Sequence, residues 1–192
     1  METVSNYNSS PNQKQKVNMT TYARFTEMIP KKYINIDCDK PEMVKKGVDH
    51  SLFIFGPCGV GKTVLMANIA KELIKVRKRV EWISYPEFIM TLQNLYKKEG
   101  EETPFEIAEK IATFSGCLCI DDLGAEKMTD FVKQITYYII NCREQEMLHT
   151  IITSNYSLDE IKEQIDRRIS SRIAGMCEYI RLEGKDRRRF IK

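Results

Sequence analysis

Two rhythms of apolar residues alternate along this chain. Short, nearly continuous apolar runs at residues 51–55, 80–84, 117–124 and 150–154 predict strands, several of them buried on both faces. Between them, apolar residues recur every three or four positions, the period of a helix that packs one face on a sheet. Leu65, Ile69, Leu73 and Val76 predict an amphipathic helix over 62–77. Pro86 opens a second helix with Phe88, Leu92 and Leu95 on one face. Thr103-Pro104-Phe105-Glu106 is a capping box with proline in the first turn, so 104–114 is a third. Val132, Ile135, Ile139 and Cys142 mark a helix over 129–146, and Ser157-Leu158-Asp159-Glu160 is a second capping box opening a short one. Strands alternating with helices predict an α/β fold: a parallel sheet flanked by helices, with ligands at the carboxyl ends of its strands.

Those strand ends carry the chemistry. The first runs into Gly56-Pro57-Cys58-Gly59-Val60-Gly61-Lys62-Thr63, which matches G-x-x-x-x-G-K-[S/T] in its required strand–loop–helix setting. Glycines let backbone N–H groups close around phosphate oxygens, and the helix that Val64 continues adds its positive end. Lys62 would reach the β- and γ-phosphates, and Thr63 would offer its hydroxyl to Mg²⁺. Cys58 is filler in that loop. The run Cys117-Leu118-Cys119-Ile120 ends in Asp121 and Asp122. Asp121 is placed to orient Mg²⁺ beside Thr63, and Asp122 to activate an attacking water, although a strand-end turn also favours such an acid. Asn155 ends the next strand, where it could hold that water or sense the γ-phosphate; asparagine also favours the turn before a helix. Further on, Arg167-Arg168-Ile169-Ser170-Ser171-Arg172 forms a short basic helix, in which Arg172 could complete a neighbouring subunit's site or simply face solvent.

Composition narrows the setting. The chain has 192 residues, enough for one domain with a proper core, and 42% hydrophobic with 30% charged residues is ordinary for a soluble protein. A net charge of +3 is too small to demand a polyanionic partner. The cysteines at 38, 58, 117, 119, 142 and 177 sit in apolar or helical patterns without metal-ligand spacing, so they are expected to be buried, reduced thiols. No targeting signal or membrane-length apolar run is present, and the expected location is the cytoplasm, with no membrane partner. Residues 1–18 are polar and expected to be disordered, with a short helix over 19–28 stopped near Pro30; the leader, 1–23, thus precedes one domain over 24–192.

Taken together, GPCGVGKT at 56–63, CLCIDDLGAE at 117–126, IITSN at 151–155 and RRISSRI at 167–173 resemble the AAA+ ATPases of the DnaC/DnaI helicase-loader and IstB transposition-helper group. The likeness runs from about Arg24 to Arg188. It implies an AAA+ core with sheet order 5-1-4-3-2 and ATP and Mg²⁺ as cofactors; the sequence is expected to depart from the family in leaving no room after Arg188 for a full helical lid. It also implies Arg172 as an arginine finger and Arg188, in Gly184-x-Asp186-x-Arg188, as a second nucleotide-facing arginine. The two helices at about 86–114 resemble the family's insertion associated with assembly and single-stranded DNA. Tyr96, Lys97 and Lys98 are a candidate contact there, since stacking plus positive charge suits single strands. The partner implied is a replicative helicase or, on the same fold, a transposase, with the ATP site at a subunit interface of a homo-oligomer or mixed complex. A small P-loop kinase, or a module that binds ATP without hydrolysing it, fits the length but needs neither the DDLG nor the TSN strand end.

Overall fold

The computed structural model describes residues 29–95 and 103–187. The expected disordered leader and the helix at 19–28 lie outside them, as do Tyr96, Lys97, Lys98 and Arg188. The described chain begins with a one-turn helix, α1 (Lys31–Ile34), and α2 (Pro41–Asp49), followed by β1 (Leu52–Phe55) and α3 (Lys62–Lys75). Next come β2 (Val80–Ser84), α4 (Tyr85–Leu95), α5 (Pro104–Ala112) and β3 (Cys117–Leu123). The chain continues through α6 (Asp130–Gln145), β4 (Thr150–Ser154), α7 (Leu158–Gln164), α8 (Arg167–Met176) and β5 (Glu178–Arg181).

The strands form one parallel sheet in the order β2-β3-β4-β1-β5, the 5-1-4-3-2 arrangement read from its other edge. Alternation within each strand divides the core between two faces. Leu52, Ile54, Cys117, Cys119 and Ile151 meet α2 and α3; Phe53, Leu118, Ile120 and Ile152 meet α4 to α8. The β3 strand is therefore apolar on both sides, which is why its pattern is continuous.

The capping signals hold in detail. Thr103 and Ser157 each form both halves of a capping box, and the Thr129 hydroxyl accepts from the Val132 N–H. Two expectations for α3 change. The helix α3 is buried almost all round, because α2, whose Gly47 packs against Ile69, covers the side that the amphipathic pattern left for solvent. Val76, expected on its apolar face, falls beyond the last turn and is exposed. Pro30 directly precedes α1, and the helix it is expected to stop lies outside the described residues. As for the cysteines, all six are free, but Cys58 is exposed and Cys38 and Cys142 only half-buried.

On α6 the residue that goes deepest is Arg143, fully buried, rather than the neighbouring Cys142. Its Nε donates to Thr150 Oγ1 at 2.8 Å, and its two Nη atoms donate to the carbonyls of Ile111, Ala112, Phe114, Gly116 and His149. Carbonyls at a helix end have lone pairs that the helix itself does not fill, and this one guanidinium supplies five donors in a fixed fork. Burial pulls its pKa down to about 10, which still leaves it charged at neutral pH. Arg143→Met keeps the bulk and orphans the carbonyls, so urea unfolding is expected to register a loss of roughly 3–5 kcal/mol. A loss under about 1 kcal/mol would mean that water satisfies these groups instead. Among the described residues no helix is long and apolar enough to cross a membrane.

Candidate functional site: a phosphate loop facing two strand ends

The loop between β1 and α3 has the backbone that its glycines permit. Gly61 is the N-cap of α3 at φ 102°, a left-handed conformation costly for any side chain, and no side chain caps the helix. By contrast α5, α6, α7 and α8 all receive side-chain caps, from Thr103, Thr129, Ser157 and Asp166. The N–H groups at the start of α3 are thus left open to an anion. Gly59, at φ 80°, has no room for a Cβ, which would run into Asp186.

Lys62, buried at 5% exposure, donates from Nζ to the carbonyls of Gly56 at 2.7 Å and Pro57 at 2.9 Å, and to Asn155 Oδ1 at 2.7 Å. Asn155 therefore meets the loop's cation directly. The Cys58 thiol lies 3.6 Å from the same Asn155 oxygen, so Cys58 borders the site rather than merely filling the loop.

The acids are placed by a bulge. Pairing between β3 and β4 is regular to Ile120 opposite Ile152 and resumes at Leu123 opposite Ser154, so one extra residue is accommodated on β3. The strand consequently continues through Asp121 and Asp122 to Leu123. Asp122 sits at φ 58°, and its N–H donates to Thr153 Oγ1 at 2.9 Å. The Asp121 carboxylate accepts from Thr153 Oγ1 at 2.6 Å and from Thr63 Oγ1 at 3.1 Å. Burial raises its pKa to about 6; the Thr153 hydroxyl opposes that, the neighbouring Asp122 adds to it, and Thr63 and Lys62 oppose it. A hydroxyl and a half-destabilised carboxylate in contact suit a hard cation, which would restore the charged form. Among the described residues no three His, Cys, Asp or Glu side chains form a metal cluster.

A cavity of about 570 Å³ opens beside this loop. Gly59, Val60, Gly61, Lys62, Thr63 and Val64 line one part of it, with Asp122; Tyr33, Ile36, Cys38 and Asp39 line another. Arg187 closes over it, with its N–H on Gly59 O and its guanidinium 3.0 Å from Asp39. These residues fit a magnesium nucleotide.

Gly56 to Val64, Asp121, Asp122 and Asn155 are thus brought together. Arg172 is not. It lies on α8, donating from Nη1 to Glu144 at 3.2 Å and from Nη2 to the Tyr137 hydroxyl at 2.9 Å, and it does not line the cavity. Sequence reasoning missed Thr153, whose signal was a hydroxyl residue inside an apolar strand next to the acids. It also missed the walls formed by residues 33–39 and Arg187, which carry no motif.

Residues 39–177 match the family model of the bacterial DnaA ATPase domain. Over 155 residues the chain is 30% identical to the replicative helicase loader DnaI of Bacillus subtilis (strain 168), an alignment covering 74% of this chain and 49% of DnaI. The chain thus spans about half the length of that relative. A crystal structure of the DnaC helicase loader superposes with a TM-score of 0.68 at 25% identity, over 80% of this chain and all of that one (100%). A crystal structure of DnaI gives 0.66 at 24% identity, over 82% and 93% of the two chains. The replication initiator DnaA bound to AMPPCP and single-stranded DNA shares the fold, with a TM-score of 0.65 at 20% identity over 82% of this chain and 51% of that one. With a P-loop, paired strand-end acids and the 5-1-4-3-2 sheet all in place, this chain belongs to the bacterial DnaA ATPase-domain family.

Proposed function

We propose that the chain binds and hydrolyses ATP and uses that cycle to help load a replicative helicase onto DNA. The observation that carries the ATPase reading is that Lys62, Thr63 and Asp122 line one cavity, with Asp121 bonded to Thr63 and Asn155 to Lys62. Lys62 and the open start of α3 hold the phosphates, while Thr63 and Asp121 hold the metal. Mg²⁺, when bound, neutralises charge building on the β- and γ-phosphates. Asp122 orients and deprotonates the attacking water. Asn155, already bonded to Lys62, reports whether a γ-phosphate has come between them.

The helicase partner rests on likeness to DnaI and DnaC, whose names describe helicase loaders. Single-stranded DNA is a second partner on this reading, since one relative of the fold has been captured on it. Arg172 then faces the nucleotide of an adjacent subunit.

Asp122→Asn separates binding from turnover, because it removes the base and spares Asp121. ATP binding is expected to stay within about twofold, with hydrolysis down by roughly 10²–10⁴, the range for a lost general base. Turnover equal to wild type would assign Asp122 to the bulge alone. For the partner, the purified chain is mixed with the host's replicative helicase and ATP and run on a sizing column. Co-elution is expected; a complex formed with a transposase instead would overturn the loading role.

A further inference from the structure

The nucleotide cavity has a phosphate end and a far end, and the far end is built from chain with little structure of its own. Helix α1 is a single turn, and residues 35–40 belong to neither helix nor strand. Two buried polar residues of α3 hold this segment. Asn68, 9% exposed, donates from Nδ2 to Ile36 O at 3.0 Å and to Val64 O at 2.8 Å. Lys71, 7% exposed, donates from Nζ to Ile36 O at 2.9 Å and to Ile34 O at 3.2 Å, with Asp37 Oδ1 at 3.8 Å. Both side chains converge on the Ile36 carbonyl, and Ile36 lines the cavity.

This arrangement is costly for packing alone. Burying an ammonium forfeits several kcal/mol of hydration, whereas an apolar residue one turn inside α3 would stabilise the same helix without that loss. What Asn68 and Lys71 add is a fixed distance. The start of α3 holds Lys62 and Thr63, and the same helix, two turns on, grips the wall opposite. Phosphates seated at the loop leave the nucleoside to extend toward Tyr33, Ile36 and Cys38. A hydrogen-bonding base edge can be read by backbone only if that backbone is held in register with the phosphates.

We propose that Asn68 and Lys71 are positioning residues for the nucleoside, which make the cavity selective for adenine by clamping the 34–36 backbone to α3. The inference rests on the ATP-binding reading of the same site. Its test compares calorimetric titrations of ATP, GTP and inorganic tripolyphosphate. Wild-type protein is expected to prefer ATP over GTP. In Lys71→Met, ATP affinity should fall on the order of tenfold and the ATP-to-GTP preference should collapse, while tripolyphosphate binds as before. Lys71→Arg, which can still donate to carbonyls, should recover most of the preference. Asn68→Ala, a milder change to the core, should move the ratio in the same direction and serves if Lys71→Met does not fold. Equal losses for ATP and tripolyphosphate, or an unchanged ATP-to-GTP ratio in both variants, would overturn the proposal while leaving the ATP site intact. Wild-type protein that bound neither ATP nor tripolyphosphate would overturn the site assignment itself, and the proposal with it.

Discussion

Lys62→Ala is expected to abolish measurable ATP binding, a loss of at least about 10²-fold or roughly 3 kcal/mol, comparable to removing a preorganised charge-stabilising group from an enclosed site. The reason lies in what surrounds the ammonium. It is buried against the carbonyls of Gly56 and Pro57 and the amide of Asn155, so it is held at the start of α3 where the phosphates must sit. Among the described residues no other lysine lines the loop end of the cavity; Lys32 and Lys40 belong to the opposite wall. Fluorescence anisotropy with a labelled ATP analogue measures the effect. Removing Lys62 also deprives two loop carbonyls of a donor, so thermal unfolding is measured alongside. A folded variant with unchanged affinity would remove the phosphate loop from the functional account.

The second large effect concerns Arg172. The variant Arg172→Ala is expected to bind ATP normally and to lose hydrolysis by about 10³-fold or more, the scale of a missing arginine finger. Its own cavity is out of reach, since the guanidinium is engaged by Tyr137 and Glu144 on α6 and does not line that cavity. On the proposed reading it acts on the nucleotide of a neighbouring subunit. Mixing makes the distinction: an Arg172→Ala subunit still holds ATP, and a Lys62→Ala subunit still offers an arginine. Partial activity should return in mixed oligomers. Dead mixtures at every ratio, with mixed oligomers demonstrated, would confine Arg172 to its own subunit. Because Arg172 also bridges α6 and α8, Tm is compared with wild type before turnover is interpreted. A drop of several degrees together with lost ATP binding would mark Arg172 as a structural residue.

The motifs were legible because they are local. GPCGVGKT needs only its own glycines and the helix that follows, and both capping boxes close within four residues. Strand β3 was readable for a different reason. A central strand covered on both faces must be apolar at every position, so its pattern is continuous and the acids beyond it stand out. The Asp121–Thr63 contact spans 58 residues, yet it was anticipated, because strand-end residues of one parallel sheet share one edge.

Other features depend on neighbours far along the chain and left no local trace. Periodicity assigned Cys142 to the buried face of α6, but Arg143 goes deeper because backbone carbonyls around residues 111–116 and 149 converge on its guanidinium. The helix α3 was read as amphipathic, since nothing in residues 62–77 announces that α2 will cover its outer side. Asn68 and Lys71 looked like ordinary polar positions for that same reason. Their role appears only once residues 34–37 are laid across them.

By itself, then, the sequence determined the order of elements from β1 to α8, the phosphate loop and the strand-end acids, which follow from short-range stereochemistry and burial period, and it pointed to the family through the likeness of its motifs. The tertiary structure alone decided three things. The bulge that turns Asp122 toward the cavity depends on the register of β4 against β3, and a one-residue offset is invisible in either strand. The bond between Asn155 and Lys62 joins residues 93 apart in sequence. The far wall of the cavity, finally, consists of backbone held by Asn68 and Lys71. Backbone carbonyls are identical at every residue, so only packing can select which of them a buried donor will meet.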